Sequence, residues 1–143
     1  MADPEFSPGA EHVAHALMTN NTPKAWTYNA ELYLVKAGTK YTSSGMITFS
    51  LAAGASQTID FPIITPDVEG TYKVYLDVFV AGELIAAYQA IKDVVIVAPI
   101  VKYTLTGETS PGVGWISGLG DYESGETATI TAHPYSGYEF DHW

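Results

Sequence analysis

The chain contains no cysteine, and only six of its 143 residues are lysine or arginine. Without cysteine there is no disulfide, no thiolate metal ligand and no cysteine nucleophile. Nucleic-acid binding depends on Lys and Arg to neutralise phosphates, so six scattered cations beside 16 acidic residues argue against a nucleic-acid partner. We interpret the net charge of −10 as a contribution to solubility.

Long apolar runs and a targeting signal are also lacking. No run reaches the roughly 18 apolar residues that a membrane-spanning helix needs, so we expect no membrane insertion. The first residues do not form a signal peptide. Met1–Phe6 is typical of a cloning-linker remnant, in which case the natural segment starts near Ser7. The lack of a signal then carries no information about localisation.

The residues that are present favour a packed β-structure. Hydrophobic residues make up 47% of the chain and charged residues only 15%, and there are ten tyrosines, which argues against disorder. The 13 glycines and eight prolines favour turns between strands. The length suits one ordinary domain and a fragment of a second. The expected fold class is all-β.

Alternation of apolar and polar residues predicts the strands of the first part of the chain. The segment 12–19 also suits a helix by its alanines, but the turn residues that follow it favour a strand. The last strand, 84–97, is expected to break near Lys92–Asp93. The predicted strands span residues 12–19, 25–36, 46–51, 57–63, 71–80 and 84–97. The residues predicted to face the core include Tyr28, Ala30, Leu32, Leu34, Ile47, Phe49, Leu51, Ile59, Phe61, Ile63, Tyr72, Val74, Leu76, Val78 and Val80.

Two segments carry a family resemblance: SLAAGASQTI at 50–59 and PDVEGTYKV at 66–74. With the strand ELYLV at 31–35 they resemble the CARDB-type immunoglobulin-like domain, a cell-adhesion-related domain of bacteria, over about residues 11–98. The resemblance implies an immunoglobulin- or fibronectin-III-like antiparallel sandwich, here assigned to residues 7–98.

Such domains usually begin with one strand more than this chain supplies. A missing neighbour leaves the backbone groups of the next strand unpaired. We therefore predict an edge that is exposed to solvent, covered by the Met1–Gly9 arm, or paired with another molecule by strand addition. The residues of this open edge strand are His12, Val13, Ala14, His15, Ala16, Leu17 and Met18.

The segment from Tyr103 to Trp143 resembles a second family. Its Gly112-Val113-Gly114, its YESGETATITA at 122–132 and its SGYEFDHW at 136–143 resemble the divergent internalin-type B-repeat of bacterial surface proteins. In that family the chain continues past the tryptophan, so the resemblance implies an incomplete unit at 102–143, joined by a linker at 99–101. About 40 residues without a disulfide bury little surface. We expect this unit to lean on the sandwich, pair with a neighbouring chain, or be partly disordered.

Catalytic and metal-binding patterns are not apparent. No serine lies in a Gly-x-Ser-x-Gly elbow, and Asp141 and His142, being adjacent on an expected strand, should point apart. The acid pairs at 67/69 and 121/123 lack the ligand density of a calcium loop and favour turns, with weak calcium binding as the alternative. Asn20-Asn21-Thr22 fits a glycosylation acceptor but is interpreted as a turn. We expect no enzyme activity, no cofactor and no metal.

One set of apolar residues is predicted to face outward on neighbouring strands. An exposed apolar patch usually marks an interface, unless another domain or a loop covers it or the assumed register is wrong by one residue. The predicted partner surface consists of Tyr33, Val35, Tyr75 and Phe79, continued by Ile85 or Ala87.

These features predict a non-catalytic structural, adhesion or spacer module of a bacterial secreted or cell-surface protein. Its expected partners are other domains of the same protein or other protein chains, and self-association is an option. The alternatives are an accessory module of a secreted hydrolase whose catalytic domain lies elsewhere, and a viral or filament subunit that assembles by strand addition.

Overall fold

The computed structural model describes residues 2–143, which are all-β and form two compact units. The first unit ends at Ala98 and the second spans Pro99–Trp143. The strands of the first unit are β1 (Glu5–Phe6), β2 (Glu11–Thr19), β3 (Trp26–Lys36), β4 (Thr39–Ser43), β5 (Ile47–Leu51), β6 (Ser56–Ile64), β7 (Gly70–Val80), β8 (Glu83–Gln89) and β9 (Val94–Ile96).

The larger sheet of the first unit is built around β3 and β7, which pair antiparallel. The free side of β3 is taken first by β5 and then by β4. The free side of β7 is taken by β8 and β9, and the interruption between Gln89 and Val94 confirms the predicted break. β1 adds a parallel strand beyond β9, with Val95 N donating to Pro4 O at 2.9 Å.

The second layer is an antiparallel ribbon of β2 and β6, in register from Glu11 opposite Ile64 to Thr19 opposite Ser56. Side chains of both layers enclose one hydrophobic core, so the predicted sandwich is confirmed. The buried apolar residues are Tyr28, Ala30, Leu32, Leu34, Leu51, Ile59, Phe61, Ile63, Tyr72, Val78 and Ile96. All but Ile96 were predicted to face inward.

Two strands of the first unit were not predicted, β1 and β4. The predicted strands leave residues 37–45 as a connection, but only Ala37 and Gly38 form the turn, with φ values of 49° and 77°. Positive φ at both central residues is the signature of a two-residue type I′ hairpin, whose twist lets a strand resume immediately. β4 therefore begins at Thr39. β1 lies in the segment interpreted as a linker remnant, and its Phe6 packs on the core.

A tyrosine corner lies where the chain passes from β6 of one layer to β7 of the other. Tyr72 lies near the start of β7 and is fully buried. Its hydroxyl donates to the backbone carbonyl of Val68, four residues upstream, at 2.6 Å. This contact is a hallmark of immunoglobulin-like sandwiches, where it fixes the crossover between sheets. Burial raises the pKa of Tyr72, and the neighbouring Tyr41 adds to the effect.

The second unit consists of two small antiparallel sheets. One pairs β10 (Lys102–Leu105) with β12 (Gly120–Glu123), and the other pairs β11 (Gly114–Ser117) with β13 (Thr131–Pro134). No residue from 99 to 143 reaches the burial of the sandwich core.

Among residues 2–143 there is no helix long and apolar enough to cross a membrane.

Candidate interaction surfaces

The outer face of the larger sheet is centred on two tyrosines from neighbouring strands. Tyr33 of β3 lies directly opposite Tyr75 of β7, and their rings stack with centroids 5.6 Å apart. The Tyr33 hydroxyl donates to Asp77 Oδ2 at 3.1 Å. Burial, together with this bond to Asp77, raises the pKa of Tyr33. The pair is therefore held in place by both packing and a hydrogen bond.

A polar cluster that sequence reasoning missed surrounds this pair. Glu31 accepts hydrogen bonds from Lys40 Nζ at 2.7 Å and from Ser43 Oγ at 2.5 Å. Lys40 Nζ also lies 4.1 Å from the centroid of the Tyr33 ring. The hydrogen bonds from Lys40 and Ser43 lower the pKa of Glu31. The missed signal is the strand β4, which supplies both donors.

The other predicted surface residues do not extend the tyrosine pair into one apolar strip. Val35 lies opposite Lys73, and Phe79 lies opposite Asn29, at the two ends of the β3–β7 pairing. Between them Glu31 faces Asp77, so charge interrupts the strip. Ile85 is skipped where the β7–β8 register shifts, and it is 54% exposed. The face is a mixed aromatic and polar surface instead of a contiguous apolar one.

The predicted edge residues lie in β2, which pairs with β6 over its whole length. Within residues 2–143 no strand pairs with its other side. Of the predicted Met1–Gly9 arm, Met1 lies outside the described residues, and Glu5 and Phe6 pair with β9 of the other sheet instead of with β2. His12, Ala14, Ala16 and Met18 are half-buried and face the core, whereas Val13, His15 and Leu17 are exposed.

An open cleft of about 970 Å³ lies at the start of β2 and is lined by His12, Thr42, Ser43 and Ile63, among others. His12 Nε2 and Thr42 Oγ1 are both buried and have no hydrogen-bond partner within residues 2–143. On its other side the His12 ring contacts Phe6, with centroids 4.5 Å apart. The cleft brings no carboxylate into hydrogen-bond contact with the imidazole Nε2, so it lacks an acid–base pair there.

The second unit brings Ser117, His133 and Trp115 together. The imidazole of His133 stacks on the Trp115 ring at 3.9 Å, and its Nε2 lies 2.8 Å from Ser117 Oγ. Within residues 99–143 no carboxylate hydrogen-bonds His133, so the pair lacks the acid that orients the base of a triad. This is the geometry of cross-strand packing between β11 and β13.

The prediction that Asp141 and His142 point apart is wrong. These residues lie outside any strand, and His142 Nδ1 is 2.6 Å from Asp141 Oδ2. The alternation that separates neighbours on a strand does not apply there. Both side chains are highly exposed, at 80% and 89%, so nothing encloses them as a site.

One residue of each acidic pair, and Asn20 of the glycosylation pattern, form hydrogen bonds within the protein. Glu69 accepts from Ala98 N at 2.5 Å, and Asp121 accepts from Thr104 Oγ1 at 2.7 Å. Among residues 2–143 no group of three or more His, Asp or Glu side chains could hold a metal ion. Asn20 is only 1% exposed, and its Nδ2 donates to the carbonyls of Lys24, Leu51 and Ala52. The buried Asn20 amide therefore has a structural role, in hydrogen bonds to the backbone.

Comparison with known proteins bears on the second unit. A family model described as the divergent InlB B-repeat domain matches residues 103–143. No curated protein matches the chain. The resemblance of the second unit is thereby confirmed, whereas the CARDB-type resemblance of the first unit stays a prediction. The match of residues 103–143 to a B-repeat is compatible with a surface- or adhesion-type module.

Proposed function

We propose that this chain is a non-catalytic structural or adhesion module of a bacterial secreted or cell-surface protein. The observation that carries the proposal is the B-repeat match at residues 103–143, preceded in the same chain by an immunoglobulin-like sandwich. Its role is to space or present neighbouring domains, and its contacts are made through sheet faces and edges.

The distribution of polar groups supports a mechanical role over a chemical one. At the centre of the outer face charged and aromatic groups are paired with each other, as Glu31 is with Lys40 and Tyr33 with Asp77. Such groups order the sheet surface and give a partner a fixed pattern of rings and charges. The core between the layers is filled by apolar side chains, which resist extension of the sandwich cooperatively.

The test is whether the chain is exposed outside the cell that makes it. Protease added to intact cells should remove the segment recognised by antibodies against the purified chain, while a cytoplasmic marker stays intact. Secretion into the medium would also support the proposal. Degradation only after lysis would contradict it. A purified chain that hydrolyses peptide or glycoside substrates, with activity that survives repurification, would contradict the non-catalytic part.

One observation favours a second candidate, a filament subunit. The nine-residue strand β2 has an unpaired side, which is a template for strand addition between molecules. Electron microscopy of the purified chain separates the two: filaments that grow with concentration support the subunit, and dispersed particles support the spacer. An accessory module of a secreted hydrolase is distinguished by a catalytic domain in the same reading frame.

A further inference from the structure

The backbone of β2 presents a regular row of free hydrogen-bonding groups on its unpaired side. At its two ends Asn20 N donates to Ala55 O and Thr65 N donates to Ala10 O, both at 2.9 Å. In an antiparallel pair, residues alternate between bonding the partner and pointing away from it. The even-numbered residues therefore bond β6. The N–H and C=O groups that point away belong to Glu11, Val13, His15, Leu17 and Thr19.

The other side of the β2–β6 ribbon is different. By the same alternation, the residues of β6 whose backbone groups point away from β2 include Pro62, which lies opposite Val13. Proline has no N–H, so its place on an edge blocks the addition of a strand. β2 has no proline, and its solvent-facing side chains include the exposed Val13 and Leu17, at 49% and 71%. Only one side of the ribbon is therefore open to pairing.

We infer that β2 pairs antiparallel with β2 of a second copy of this chain, about a two-fold axis that passes through His15. This interaction goes beyond the spacer role, and its test is independent of where the protein is located. It joins two ribbons into one four-stranded sheet and adds about ten backbone hydrogen bonds across the junction.

The side chains on either side of His15 are complementary in this register, while the His15 imidazole itself contacts Asp60 of its own chain at 2.7 Å. Val13 lies opposite Leu17 of the second copy, so two exposed apolar side chains cover each other on the solvent face. Glu11 lies opposite Thr19, which avoids a carboxylate pair. On the core side Ala14 lies opposite Ala16, so two small side chains meet there.

The pairing closes on itself. Because the same strand is used by both copies, the interface is isologous and closes as a dimer, so a filament would need a second, different contact. After pairing, the two edge strands of the four-stranded sheet are the β6 strands of the two copies, and each carries Pro62. Pro62 lacks an N–H and so interrupts the donor row of each of these outer edges, which disfavours continued strand addition along this sheet.

Sedimentation equilibrium over a range of micromolar concentrations tests the register directly. The wild type should dimerise. Val13→Lys with Leu17→Lys places like charges opposite each other and should give a monomer, whereas Val13→Lys with Leu17→Glu places opposite charges together and should restore the dimer. Thr58→Lys, on β6 opposite Leu17 and one strand from the edge, is the matched control and should dimerise.

A cross-link provides a second measurement, since the chain has no cysteine of its own. His15→Cys should form a disulfide-linked dimer under mild oxidation, because the axis brings the two positions within disulfide reach. Thr58→Cys should cross-link far less. Thermal unfolding shows which variants are folded. A wild type that stays monomeric at every concentration, or a same-sign double variant that still dimerises while folded, would overturn the inference.

Discussion

Asn20 shows how one side chain can hold a turn to the core. Its amide nitrogen donates to three backbone carbonyls, and its Oδ1 accepts from Thr22 N at 3.1 Å and Thr22 Oγ1 at 2.7 Å. The turn after β2 and the end of β5 are thereby joined through one residue. Buried polar groups contribute most when all of their partners are satisfied.

Asn20→Ala should destabilise the first unit by about 1–3 kcal/mol, because buried carbonyls lose their donor. Asn20→Asp should cost more, since a carboxylate would face the same carbonyls. Urea unfolding followed by circular dichroism measures both changes. Asn21→Ala, at the exposed neighbour, is the control and should be nearly neutral. Equal effects at positions 20 and 21 would contradict this role.

Tyr72→Phe should lower the free energy of unfolding by about 1–3 kcal/mol, because Val68 O loses its donor in a buried place. The raised pKa of Tyr72 also predicts a pH effect with a definite sign. The neutral hydroxyl is favoured in the folded state, so its stabilisation is present below the unfolded pKa of about 10 and is lost as pH rises above it. Tyr41→Phe serves as control and should change stability little.

At the scale of the strand, β4 compensates an unfavourable pairing. Glu31 and Asp77 lie opposite each other on β3 and β7, and like charges at such positions repel. Lys40 and Ser43, both from β4, bond Glu31, while Tyr33 bonds Asp77. The hairpin that creates β4 therefore supplies the donors that offset the repulsion at Glu31.

Glu31→Gln should lower the free energy of unfolding at neutral pH, and the loss should be smaller at acidic pH. The folded pKa of Glu31 is lowered, so its stabilisation is present above the unfolded pKa of about 4.3 and is lost as pH falls below it. The difference in unfolding free energy between wild type and variant should thus shrink toward pH 3. Glu83→Gln, at the exposed start of β8, is the control and should leave the free energy of unfolding nearly unchanged at neutral pH. A pH-independent difference at position 31 would contradict the ion pair.

The type I′ turn at Ala37–Gly38 offers a gain in stability. Ala37 has φ of 49°, a left-handed conformation that costs an alanine about 1 kcal/mol and that asparagine tolerates better. Ala37→Asn should therefore raise the melting temperature by a few degrees. Ala53→Asn, in a turn where φ is not positive, is the matched control and should bring no gain.

At the scale of the whole molecule, the first unit should be more stable against local unfolding than the second. The buried core lies entirely in the first unit, and no residue from 99 to 143 reaches that burial. Amide hydrogen exchange should protect β3, β6 and β7 strongly and the strands β10 to β13 weakly, because local opening is easiest where little apolar surface is buried. Equal protection in both units would contradict this difference.

The fold could be predicted from the sequence to the extent that it rests on local alternation. Ile59, Phe61 and Ile63 were assigned to the core from spacing alone, and all three are buried. The outer-face site was predicted only in part, since Tyr33 and Tyr75 were found but Glu31, Lys40 and Asp77 were not. Their roles depend on which strands pair, and pairing joins residues distant in the chain.

By itself, then, the sequence determined the all-β class, the inward faces of the strands and the B-repeat character of residues 103–143. Only the tertiary structure decided that β1 joins β9 in parallel, that β4 supports Glu31, and that one side of β2 is open. The physical reason is that a side chain's direction along a strand repeats every two residues. The neighbour across the sheet, by contrast, is chosen by core packing and sheet twist, which no local pattern contains.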